Sequence, residues 1–106
     1  MSNMKDRQEG FERKFAIDEE QKFKAMARRN KLLGLWVAEK LGKSGADAEA
    51  YAKEVVKSDF EEAGDDDVFR KVKADLDAGG AQLSDHQIRR KMEELIEVAV
   101  AQIKNV

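Results

Sequence analysis

Four apolar stretches at helical spacing, three of them closed by glycine, limit what this chain can fold into. No proline interrupts them, so ring geometry forces no helix to break. Gly42, Gly64 and the pair Gly79–Gly80 each follow an apolar-periodic stretch. Glycine is favoured there because the left-handed backbone of a helix end costs it nothing. Start signals follow each stop: Ser44 stands three before Asp47, and Asp65, Asp66 and Asp67 put carboxylates in a first turn. Ser84 with Gln87 has capping-box spacing, and Asp18 with Gln21 has a weaker version of it.

These signals predict four helices, over about 18–41, 45–62, 66–78 and 85–104. On the first, Phe23, Ala27, Asn30, Gly34, Val37 and Leu41 share a face, which Leu33 and Trp36 widen. The second offers Ala48, Tyr51, Ala52, Val55 and Phe60, and the third Val68, Phe69, Val72 and Leu76. The fourth offers Ile88, Met92, Leu95, Ala99 and Ile103. No alternating strand pattern competes, and the short loops make neighbouring helices antiparallel. The fold expected is an all-α four-helix bundle. Trp36, in the densest apolar stretch, is expected to be mostly buried between helices.

Residues 1–17 differ from the rest. They mix both charges with Gly10, and their apolar content is Phe11, Phe15, Ala16 and Ile17. On a helix, Phe11 and Phe15 would share one side. Such a segment can be disordered alone and helical against a partner, or can be a frayed tail whose rings pack on the bundle. The organisation predicted is a mobile N-terminal segment over 1–17 and the bundle over 18–106.

With 106 residues, the chain has room for one small domain. Cysteine is absent, which removes disulfides and thiolate chemistry and fits a reducing cytoplasm. The longest apolar or glycine run is Leu32 to Ala38, far short of the roughly 20 residues of a membrane span. The N-terminus has no apolar core of a signal peptide. A net charge of −2 argues against a general nucleic-acid binder. The charge is unevenly placed: residues 1–31 hold nine basic and six acidic side chains, residues 43–67 three basic and nine acidic. Different faces can therefore meet different partners, or simply be solvated helix surfaces.

Catalysis has little to work with, and no enzyme or cofactor is expected. His86 is the single histidine and falls at a helix start. Because it lies far in sequence from the N-terminal segment, no histidine-driven switch between about pH 6 and 8 is expected. Gly79–Gly80 lacks the pattern of a phosphate loop. Asp59, Glu61, Gly64, Asp65 and Asp67 follow the first positions of a calcium loop, but Arg70 stands where a bidentate glutamate is needed. The basic cluster Lys24, Arg28, Arg29 and Lys31, beside Phe23, could meet an anionic partner, either a nucleotide or an acidic protein surface. A solvated basic face is the simpler account.

Two sets of residues carry a resemblance. The first is Lys14-Phe15-Ala16, Asp18, Phe23-Lys24, Ala27-Arg28-Arg29-Asn30, Leu32-Leu33-Gly34, Trp36 and Leu41-Gly42. The second is Ser58-Asp59-Phe60, Glu62, Gly64-Asp65 and Asp67-Val68-Phe69-Arg70-Lys71-Val72. In this order and spacing they resemble the zeta subunit family, inhibitors of the F-type ATP synthase of alphaproteobacteria. The resemblance covers nearly the whole chain. It implies a four-helix bundle whose mobile N-terminal segment enters an interface between alpha and beta subunits of the catalytic head, near gamma, and blocks rotation in the hydrolytic direction. Mapped onto this chain, the contacts implied are Phe11 and Phe15 as apolar anchors and Arg13 and Lys14 as charged partners, continuing into Phe23, Lys24, Arg28 and Arg29. The resemblance also implies a monomer when free, cytoplasmic and peripheral to the inner membrane when bound to ATP synthase. Two other readings stay open: a weak adenine-nucleotide sensor built on Lys24–Arg29, and a small helical adaptor.

Overall fold

The structure, a computed structural model, describes residues 14–59 and 66–104. It is an all-α four-helix bundle: α1 Glu19–Lys40, α2 Gly45–Ser58, α3 Asp66–Ala78 and α4 Asp85–Lys104. Three of the four expected spans agree to within a residue or so. The second ends at Ser58, and Phe60, assigned to its apolar face, lies outside the described residues.

The starts of α1 and α4 and the ends of α1 and α3 have local causes. Asp18 is an extended N-cap whose carboxylate accepts from the Gln21 backbone N–H at 2.8 Å, while the Gln21 side chain accepts from the Asp18 N–H at 3.2 Å. That reciprocal box satisfies two of the helix's orphan donors. Ser84 and Gln87 repeat it for α4, at 3.1 and 2.8 Å. Ser44 caps α2 without a side-chain hydrogen bond.

At its C-terminus α1 closes on Gly42, at φ +78°, with the Lys43 N–H reaching the Ala38 carbonyl and the Gly42 N–H the Glu39 carbonyl. Gly80, at φ +79°, closes α3 in the same way, with Ala81 N–H bonded to the Leu76 carbonyl and Gly80 N–H to that of Asp77. These are Schellman ends, in which a left-handed residue lets the last carbonyls find donors.

Sequential neighbours are antiparallel. Tyr51 and Glu54 of α2 meet Asp75 and Lys71 of α3. Lys73 reaches Asp85 while Asp66 holds Arg89, so α3 and α4 run oppositely. Lys91 lies over the Trp36 ring, and Ala25 shares a cluster with Val100, so α4 also runs against α1. The helix α1 is thus the shared spine, packed by α2 on one side and α4 on the other.

Two clusters form the interior. The larger joins Leu33, Val37, Ala38, Tyr51, Val55, Val68, Val72, Leu76, Ile88 and Met92. Fully burying a Leu, Val or Ile side chain contributes about 1.5–3 kcal/mol, so this cluster dominates stability. The smaller, at the other end, holds Ile17, Ala25 and Val100, with Phe15, Ile96 and Ile103 packed on it.

The stripe on α1 differs from the expected one. Its buried residues are Ala25, Arg29, Asn30, Leu33, Gly34, Val37 and Ala38, because two neighbours bury two adjoining faces. Phe23 is 65% exposed. Gly34 lies against Ala52 and Val55, so Phe23, about 16 Å back along the axis, lies beyond the turn that ends α2 at Ser58. Trp36 is mostly buried, as expected, though not fully enclosed. It packs on the edge of the core with Lys40 and Lys91 each 5.5 Å from its ring. There the indole covers the α1–α4 seam and its face takes two cations.

Candidate functional site

The residues singled out by sequence fall into two places, separated by the turn before α1. Phe11 and Arg13 lie outside the described residues. Lys14 and Phe15 lie on α4. Phe15 is half-buried against the smaller cluster, its carbonyl accepts from Lys104 Nζ at 2.7 Å, and Lys14 Nζ sits 5.2 Å from the Phe15 ring. Both residues line a shallow cleft with Arg90, Glu93, Glu94, Ile96 and Glu97. Phe15 and Ile17, which lie before the boundary drawn at Asp18, thus pack on the bundle; Ile17 is only 7% exposed.

Phe23, Lys24 and Arg28 lie together in a second, open groove. Its walls are Gln21, Phe23, Lys24, Ala27, Arg28 and Lys31 of α1, Val56 of α2 and Ile103 of α4. The floor is apolar and one rim is basic. Lys24 also pairs with Glu20 at 3.4 Å, a bond one helical turn long between two exposed groups. Such a pair is worth a few tenths of a kcal/mol and leaves the amine available to a stronger anion.

Arg29 does not belong to this surface, which corrects its grouping with Lys24 and Arg28. It is fully buried and comes one turn after Ala25, on the side of α1 that meets α4. Its Nε donates to Asn30 Oδ1 at 2.8 Å. A buried guanidinium is held for structure, because moving it to a partner would cost both packing and its bonds. Asn30, equally enclosed, leaves Nδ2 without a hydrogen-bond partner among the described residues.

A third polar site joins α2 to α3. Tyr51 Oη donates to Asp75 Oδ2 at 2.7 Å, and Lys71 Nζ bridges Asp75 and Glu54 at 3.0 Å each. Burial first, then the Asp75 bond and the nearby carboxylates, push the Tyr51 hydroxyl well above its ordinary range. Burial works against the charge of Lys71, but its bonds to Asp75 and Glu54 outweigh that and raise its pKa. This cluster fastens helices. His86 is exposed at the start of α4.

Sequence reasoning missed Val56 and Ile103 as groove walls and Glu93 and Glu97 as neighbours of Lys14. These come from other helices, and no local spacing brings them to α1. Among the described residues, no helix is long and apolar enough to cross a membrane.

The model of the family described as ATPase inhibitor subunit zeta matches residues 1–102. No curated protein matches the chain. A protein whose structure was solved by solution NMR is 60% identical over a match covering 78% of this chain and 94% of that one, with a TM-score of 0.71. The fold is therefore shared with a solved relative, and the family match spans the N-terminal segment and all four helices but the last two residues of α4: this chain belongs to the ATPase inhibitor subunit zeta family.

Proposed function

We propose that this protein is a non-catalytic regulator that inhibits ATP hydrolysis by the F-type ATP synthase, with residues 1–17 entering an interface between alpha and beta subunits beside gamma. The observation that carries this reading is the family match, which extends to residue 1 and so includes the segment that would inhibit. A rotary enzyme must change the shape of each catalytic interface at every step. A wedge that binds one shape better than the others shifts the population toward it and stalls the cycle. Phe11 and Phe15 act as apolar anchors and Arg13 and Lys14 as their charged partners; aromatic and arginine side chains are frequent anchors of buried contacts.

The groove at Phe23, Lys24 and Arg28 is a second contact. Its exposed ring and basic rim suit an acidic surface of the catalytic head. Binding there would hold the bundle against its partner while the segment inserts. In the cell the protein would be cytoplasmic, meeting the inner membrane only through ATP synthase, and a monomer when free.

The same groove supports a second reading. An aromatic face beside Lys24, Arg28 and Lys31 could stack an adenine and pair its phosphates, which would make the bundle a weak nucleotide sensor.

Titrating the pure protein into the catalytic head of its own ATP synthase tests the first reading. Hydrolysis should slow with added protein, and Lys24→Glu with Arg28→Glu should weaken the effect. Undiminished hydrolysis at saturating protein would sink the inhibitory role. A shift of Trp36 or groove amide signals on adding ATP, with no effect on hydrolysis, would favour the sensor.

A further inference from the structure

Phe15 has two competing uses. On the protein itself it packs beside Ile96 and Ile103, while its carbonyl takes a hydrogen bond from Lys104 Nζ at 2.7 Å. Two residues on, Ile17 is buried with Ala25 and Val100. Between them Ala16 sits at φ +54°, a left-handed conformation that crowds any side chain bearing a Cβ. Strain of this kind persists only where the surroundings over-determine it. Here the anchors on either side do so, turning the chain back onto α4. Lys14 meanwhile lines a cleft with Glu93, Glu94 and Glu97, whose charge outnumbers that of Arg90 there.

We propose that the Lys14–Ile17 turn is an autoinhibitory latch. Docked on α4, it withholds the Phe15 ring and its flanking backbone from ATP synthase while Lys14 stays exposed, and inhibition requires the turn to leave. The inference rests on the inhibitory role proposed above for this segment. The apparent affinity of the inhibitor is then its intrinsic affinity reduced by the fraction undocked. Release lets Ala16 return to a right-handed backbone, so part of the cost of undocking is offset by relief of strain. The surface of α4 also describes the partner's socket. An apolar floor receives Phe15 here, beside a rim of three glutamates and Arg90, and the site that displaces it must offer a comparable apolar floor.

The test uses the full chain and leaves residues 14–17 untouched. Ile96→Ala with Lys104→Gln removes the floor and the hydrogen bond, while Glu93→Lys with Glu97→Lys, both exposed, repels Lys14 and spares the packing. Helicity by circular dichroism checks that each variant folds. Two quantities are read: the rate of tryptic cleavage after Lys14, by mass spectrometry, and the half-inhibitory concentration against the catalytic head. A latch requires faster cleavage and a half-inhibitory concentration about 3- to 10-fold lower than the parent's. Unchanged cleavage in both variants overturns the docked state, and faster cleavage with equal or weaker inhibition overturns the competition. If neither parent nor variants slow hydrolysis, the inhibitory role itself fails and the latch falls with it.

Discussion

The Tyr51 hydroxyl donates to the Asp75 carboxylate across 2.7 Å, joining α2 to α3 in a half-dry contact that Lys71 shares. Folding raises the pKa of both Tyr51 and Lys71, so each favours the folded state while it keeps its proton. Above about pH 10 the unfolded chain loses these protons first, and stability falls as pH rises. Denaturant melts between pH 8 and 11 should show that decline beginning near pH 10. Tyr51→Phe should flatten part of it, at a cost of about 1–3 kcal/mol near neutral pH for the lost bond to a charged group. A slope identical to the parent's would mean that Tyr51 does not link folding to pH.

Gly34 is required by proximity. A Cβ there would lie 2.6 Å from the Ala52 backbone, so α1 and α2 could not keep their spacing. Gly34→Ala gains roughly 1 kcal/mol of helix propensity, yet overpacking costs about 1–3 kcal/mol. The net expectation is a lower melting temperature, with Gly34→Val lower still. An alanine variant that melts above the parent would show that the helices can part without loss.

Trp36 sits at the edge of the core, so its removal should cost about 2 kcal/mol, short of the 3–5 typical of an enclosed aromatic. Thermal melting measures this, and a loss at or above the enclosed range would place the ring deeper than its two lysine neighbours suggest.

The two N-terminal truncations should behave differently. Removing residues 1–13 should leave melting nearly unchanged while inhibition drops sharply, because Phe11 and Arg13 go. Removing residues 1–17 also strips Ile17 from its cluster with Ala25 and Val100. That burial contributes about 1.5–3 kcal/mol, or several degrees of melting temperature for a domain of this size. Equal melting of both truncations would mean that the contacts of Phe15 and Ile17 are energetically idle.

Local chemistry made the helices legible. Capping boxes at Asp18–Gln21 and Ser84–Gln87, and glycines at 42 and 80, act within a few residues, so spacing alone revealed them. The burial of Arg29 and the exposure of Phe23 were not legible. Both depend on where α2 and α4 lie across α1, and a single helix's periodicity cannot give the direction of two neighbours. Residue type also misleads at Arg29, since a guanidinium suggests surface until its position beside Ala25 is known. The docking of Phe15 depends on Lys104, eighty-nine positions away in the chain.

The two glycine-closed turns, at Gly42 and Gly80, lie at one end of the bundle, where the end of the Leu41 side chain packs directly on Gly79. The large cluster reaches this end through Leu41, Ala81 and Leu83. The opposite end holds the small cluster and the strained turn at Ala16. The buried apolar surface is thus divided unequally between the two ends. On the inhibitory role proposed above, the end of the bundle nearest the entering segment is the one with the smaller store of buried apolar surface, and the larger store braces the far end.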